Sequence, residues 1–122
     1  MALILVVDDS PTELHIFCKT LEAKGFETIV ANDGEEAIKT AEEVRPDAIV
    51  MDVVMPGMNG FQATRRLSKN PSTAKIPVVI VSSKGQETDR IWGLRQGANQ
   101  YLVKPVEENE LITAVKAALA ND

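Results

Sequence analysis

With 122 residues, 44% of them hydrophobic, the chain has material for one domain of ordinary size with a core, and not for two. Its 18 acidic residues outnumber 13 Lys plus Arg, and the net charge of -5 argues against a protein that coats nucleic acid, while the normal apolar fraction excludes intrinsic disorder. The single Cys18 allows no internal disulfide and fits a reducing cytoplasm, and no apolar run approaches the roughly 18 residues of a membrane span.

In chain order, the first expected element is a strand at Leu3–Val7. The run from 1 to 7 lacks the length and the basic flank of a signal peptide and ends against two aspartates. A helix should follow, capped by Ser10, with Pro11 in its first position, Glu13 completing an S-x-x-E capping box, and Leu14, Phe17, Cys18 and Leu21 recurring at helical spacing. A second strand is expected over 28–31 and a second helix over Gly34–Val44, opened by Asp33 and Glu36 in the same capping pattern. The third strand reads as 48–51 and the third helix as 60–68. After a surface loop over 70–77, with Pro77 opening the next strand, come a fourth strand over 78–81, a helix over 87–96, a fifth strand over 101–103, and a last helix marked by Leu111, Val115 and Leu119.

Strands that are apolar without alternation are covered on both faces, as in a parallel sheet between helical layers. The alternation therefore predicts an α/β doubly wound, five-stranded parallel sheet of order 2-1-3-4-5 with right-handed crossovers, the flavodoxin-like three-layer sandwich. In such sheets a site forms beyond the carboxyl ends of the strands, where the strand order reverses between strands one and three.

The residues at those ends carry chemistry. Strand one runs into Asp8 and Asp9, strand three into Asp52, strand four into Ser82 and Ser83, and strand five into Lys104. Carboxylates gathered on one rim repel each other unless a cation intervenes, and hard oxygen ligands without His or Cys favour Mg²⁺. With Lys104 and the Ser82 hydroxyl beside them, an aspartate there is a plausible phosphoryl acceptor.

The runs Ile4-Leu5-Val6-Val7-Asp8-Asp9, Asp52-Val53-Val54-Met55-Pro56-Gly57-Met58-Asn59-Gly60, Val81-Ser82, Gly97-Ala98 and Tyr101-Leu102-Val103-Lys104-Pro105 closely resemble the receiver domain of two-component response regulators. The resemblance covers essentially the whole chain, and D-x-x-M-P-x-M-x-G with the downstream K-P is its specific part. Among receivers the chain resembles the stand-alone, CheY-like kind, of the type found in pilus-based (twitching) chemosensory systems. The resemblance implies that Asp52 is phosphorylated by a histidine kinase, and that Asp8, Asp9, Asp52 and the backbone carbonyl of Val54 hold Mg²⁺. Ser82 and Lys104 would bond phosphoryl oxygens, the Lys104 to Pro105 bond would be cis, and Tyr101 would turn inward as Ser82 moves toward the phosphate. The output surface would be the fourth helix, fifth strand and fifth helix, meeting a protein target. Val54 and Lys84, two residues after the acceptor and two after Ser82, flank the path of the hydrolytic water in the family and are expected to tune self-dephosphorylation. Such a protein is a signalling phosphoacceptor rather than an enzyme with a separate substrate, expected to be cytoplasmic and monomeric, with weak dimerisation on phosphorylation as the alternative.

Other readings have specific defects. A D-x-D hydrolase needs a second carboxylate where Val54 stands, and a flavin or nucleotide site needs a phosphate-cradling loop where Asp8-Asp9-Ser10-Pro11 stands. A phosphorylation-independent interaction module would not need the acidic pocket. A phosphate sink competing for a shared kinase uses the same residues as a switch. Nothing beyond Asn121 and Asp122 suggests an output domain, and the acidic balance suggests no local basic patch. His15 is expected in solvent, Cys18 as a buried hydrophobe, and Trp92 in packing beside Ile91, Leu94 and Ala98. Glu107, Glu108 and Glu110 suit the start of a helix, and Met55 and Met58 suit loop packing.

Overall fold

The computed structural model describes residues 2–120; the expectation attached to Asn121 and Asp122, and the start of the 1–7 run at Met1, lie outside the described residues. Five strands and five helices alternate: β1 (Leu3–Val7), α1 (Pro11–Ala23), β2 (Glu27–Ala31), α2 (Gly34–Val44), β3 (Ala48–Asp52), α3 (Gly60–Lys69), β4 (Val78–Ser82), α4 (Glu87–Arg95), β5 (Gln100–Val103) and α5 (Glu108–Ala120). All strand pairs are parallel and the order is β2-β1-β3-β4-β5, as expected. Most expected bounds differ by one residue, and Pro77 sits just ahead of β4 rather than inside it.

Strand alternation splits the core into two layers. Leu5, Val7, Ile49, Met51 and Ile80 face one side, where α2 and α3 bring Ala37, Ala41, Phe61 and Leu67. Ile4, Val6, Val50, Val79 and Val81 face the other, against Leu14, Phe17 and Leu21 of α1 and Leu111 and Val115 of α5. β3 and β4 are buried along their whole length, which is why they read as unbroken apolar runs. The edge strands depart from the two-sided cover predicted for every strand, β2 more than β5. β2 leaves Val30 44% exposed, and only Ala31 is buried.

Local signals act at the helix starts, with two amendments. The Ser10 hydroxyl accepts the Glu13 N–H at 3.3 Å, but the Ser10 N–H donates to Asp8 Oδ1 at 3.0 Å, so the Glu13 carboxylate has no capping bond to make. At α2 the Asp33 carboxylate accepts the Glu36 N–H at 2.8 Å, whereas Glu36 reaches back one residue further, to Asn32. A complete capping box occurs at α3, where Asn59 and Gln62 exchange bonds of 2.9 and 3.0 Å.

α4 overturns one packing expectation. Ile91 and Trp92 are 42% and 51% exposed, and the helix meets the core through Gly93, with Leu94 partly covered. A Cβ on Gly93 would lie 2.8 Å from the Tyr101 ring, so only glycine lets the helix pass that side chain, and this rotates its two large apolar neighbours outward. Cys18 is half-buried rather than fully buried, and burial pushes its thiol up. His15 is exposed as expected; Met55 is buried in the core layer under α2 and α3, and Met58 packs partly buried against that layer.

Candidate functional site

Parallel register decides which strand-end residues meet. Val7 of β1 pairs with Met51 of β3, so the next residues, Asp8 and Asp52, emerge side by side. Asp52 pairs with Val81 and Ser82 with Val103, so Ser82 and then Lys104 follow in a staggered row on the same edge. Carboxylate oxygens of Asp8, Asp9 and Asp52 all lie within 4.8 Å of one another. Asp8 and Asp52 are buried, and Asp9 faces outward.

Lys104 closes this group. Its Nζ lies 3.1 Å from Asp52 Oδ1, 3.3 Å from Asp8 Oδ2 and 3.0 Å from Glu13 Oε1. Glu13 has no place among the site residues expected from the sequence. The available signal was its position one turn into a helix that starts directly after the acidic pair. Burial pushes the Asp52 carboxyl up; its bond to Lys104 pulls the other way, and the charge of Asp8 adds to the rise. For Lys104, burial alone would favour the neutral amine, but its bonds to Glu13 and Asp52, with the charge of Asp8, hold it firmly protonated.

The donor set fits a divalent cation. Asp8, Asp9 and Asp52 cluster beside a single ammonium whose charge Glu13 also shares, so the three carboxylates are not neutralised when all are ionised. The ligands are oxygens alone, the set that suits Mg²⁺.

The segment after Asp52 is held by close backbone packing. The Gly60 N–H donates to the Val53 carbonyl at 2.9 Å, and any Cβ at residue 60 would run into the Asp52 carbonyl oxygen. The final glycine of D-x-x-M-P-x-M-x-G is thus required by the approach of α3 to the acceptor. Val54 stands in this loop, 57% exposed. It lines a cavity of about 370 Å³ together with Met55, Phe61, Lys84 and Trp92, so the two residues expected to tune water access share one cavity, with Trp92 as an unexpected third wall.

Opposite lies the β4–α4 loop. The buried Ser82 hydroxyl accepts the Lys84 N–H at 3.0 Å. Tyr101 lies inward, its ring 6.4 Å from that of Phe61 and its Oη donating to the Lys84 carbonyl at 2.7 Å. The Lys104 to Pro105 peptide is cis, as the resemblance implied.

Away from this edge, a cleft of about 800 Å³ between α2 and α3 carries Arg65, Arg66 and Lys69 on one wall and Glu35 on the other. This corrects the expectation of no local basic patch. The three cations fall within one five-residue stretch of α3 and lie toward one side of that helix, so the overall acidic balance concealed a local cluster.

No helix among the described residues is long and apolar enough to cross a membrane. Residues 4–116 match the family model described as the response regulator receiver domain. The protein PilH of Pseudomonas aeruginosa is 51% identical over 120 residues, covering 98% of this chain and 99% of PilH. The chain spans about half the length of further curated regulators that it matches at 37% identity. Among solved structures, the chemotaxis protein CheY4 of Vibrio cholerae superposes with a TM-score of 0.90 at 30% identity, covering 97% of this chain and 98% of that one. The receiver domain of the sensor histidine kinase PA1611 of Pseudomonas aeruginosa, which has a magnesium ion coordinated in its active site cleft, does so at 0.90 and 29%, covering 98% of each. Sheet order, acidic edge, cis Lys104 to Pro105 bond and these likenesses agree: the chain belongs to the response regulator receiver domain family.

Proposed function

We propose that the chain is a phosphoacceptor switch of two-component signalling, in which Asp52 takes a phosphoryl group from a partner histidine kinase. The observation that carries this reading is the convergence of Asp8, Asp9 and Asp52 within 4.8 Å beside a lysine 3.1 Å from Asp52. An Asp52 Oδ forms the new P–O bond as the donor P–N bond breaks, the electron pair leaving with the imidazole, which takes up a proton. Asp8, Asp9, Asp52 and the Val54 carbonyl would hold Mg²⁺, which neutralises the excess carboxylate charge and polarises the transferred oxygens. Lys104 pairs with one phosphoryl oxygen and the Ser82 hydroxyl donates to another. Hydrolysis reverses the state: water attacks phosphorus, inorganic phosphate leaves, and the Asp52 carboxylate returns.

Drawing Ser82 toward the phosphoryl group strains its bond to the Lys84 N–H, and the same loop carries the carbonyl that Tyr101 holds. Phosphorylation thereby biases the arrangement of the β4–α4 loop and the surface of α4, β5 and α5, where Ile91, Trp92 and Val103 are exposed to a protein target. The chain promotes only its own phosphorylation and dephosphorylation. On this reading the chain is a cytoplasmic regulator of pilus-based chemosensory signalling, and the near full-length likeness to PilH supports its being of the stand-alone kind.

Intact-mass spectrometry after incubation with acetyl phosphate, with and without Mg²⁺, tests this on the wild type and Asp52→Ala. A single phosphoryl adduct is expected in the wild type with Mg²⁺ and none in the variant. Modification that persists in Asp52→Ala, or no adduct with donor and Mg²⁺ present, would overturn the assignment.

A further inference from the structure

An ammonium has three N–H donors, and Lys104 has three carboxylates within reach, Asp8, Glu13 and Asp52. Two of these belong to the acidic group suited to a metal; Glu13 does not. It comes from the first turn of α1 and lines, with Ile16, Phe17, Lys104, Pro105 and Val106, a separate cavity of about 400 Å³. Its carboxylate is also released from the helix. The Ser10 N–H that would complete the capping box is already taken by Asp8, so Glu13 is free to make the shortest of the three ion-pair contacts with Lys104, at 3.0 Å.

Resting on the phosphoacceptor reading, we propose that Glu13 is a positioning residue that holds the Lys104 ammonium away from exclusive pairing with Asp8 and Asp52, leaving those two carboxylates open to Mg²⁺. A lysine whose acceptors were Asp8 and Asp52 alone would compete with the metal for the same oxygens. With Glu13 as third acceptor, the ammonium keeps a partner when the metal engages the other two. It then stays at the site edge, where an incoming phosphoryl oxygen can meet it. Glu13 touches neither metal nor phosphoryl group and acts through Lys104.

A double-mutant cycle on Mg²⁺ affinity, measured by calorimetry without any phosphodonor, tests this. Glu13→Gln should weaken Mg²⁺ binding by about two- to tenfold, the range expected for one partly exposed ion pair. In the Lys104→Met background the same substitution should change the affinity by less than about twofold, because the residue through which Glu13 acts is gone. Unchanged affinity in Glu13→Gln would overturn the proposal. Equal weakening in both backgrounds would also overturn it, since Glu13 would then act as a ligand or by its charge alone. Glu13→Ala run through the same cycle guards against a local effect of the amide, and circular dichroism should show equal helix content throughout. If the wild type takes up no Mg²⁺, the phosphoacceptor reading itself fails, an outcome distinct from the other two.

Discussion

Helices α1 and α4 both begin just beyond a strand end that carries site residues, yet they are held to the sheet very differently. α1 has 13 residues, a Ser10 cap and Pro11 in its first turn, and it buries Leu14, Phe17, Thr20 and Leu21. α4 has 9 residues and buries Gly93 alone, a residue with no side chain to contribute. Burial of three large apolar side chains anchors α1 by several kcal/mol, at about 1.5–3 kcal/mol each, and nothing comparable holds α4. α1, with Glu13 in its first turn, and the fully buried β3, which ends in Asp52, therefore form the rigid side of the site. The opposite side, with Lys84, Trp92 and the Tyr101 latch, can move at small cost, which is what a phosphorylation-driven change of surface requires.

The largest effect should come from attacking the rigid half. Leu21 is fully buried, so Leu21→Ala is expected to destabilise by about 2–5 kcal/mol in a denaturant titration, whereas Trp92→Ala on α4 should stay within about 0.5 kcal/mol. Similar losses for the two would erase the contrast between the helices.

A second measurement sharpens the electrostatics of the rigid half. Burial raises the Asp52 carboxyl, so the folded chain binds its proton more readily than the unfolded chain. Stability from this group is thus fully present below the ordinary carboxylate range and is lost as pH rises through the elevated value. Asp52→Asn, which mimics the neutral form, should be more stable than the wild type at pH 7 in metal-free buffer, with the gap closing below about pH 4, near the unperturbed aspartate value. A gap that widens on acidification would reverse the sign and contradict the burial argument.

The smallest effect is expected at the cavity where the two sides of the site meet. Val54 shares its cavity with Lys84 and Trp92, and Val54→Asn should change the self-dephosphorylation rate several-fold, less than the tenfold that about 1.4 kcal/mol would bring. Equal decay of the two phosphorylated proteins, followed by intact mass, would remove Val54 from control of water access.

Much of the site was legible in the sequence because each residue stands at a strand's carboxyl end, and parallel order brings those ends to one edge. Asp8, Asp9, Asp52 and Lys104 meet where expected, and register puts Ser82 on the same edge. Glu13 was not legible. Its spacing from Ser10 spelled a capping box, and only the competing bond from the Ser10 N–H to Asp8 shows why the carboxylate turns to Lys104 instead. The facing of α4 was misread for a related reason: periodicity places Ile91 and Trp92 near Leu94, but the bulk of Tyr101 selects Gly93 as the contact.

The type and order of the elements, the doubly wound sheet and the acidic edge follow from local signals, because caps, periodicity and strand apolarity act over a few neighbouring residues. Tertiary structure alone decided that Glu13 holds Lys104, that β2 lies half in solvent, that α4 turns its aromatic residue outward, and that Val54, Lys84 and Trp92 share one cavity. Each of these depends on which groups, far apart in the chain, compete for the same donor or the same space, and that competition exists only once the elements are packed.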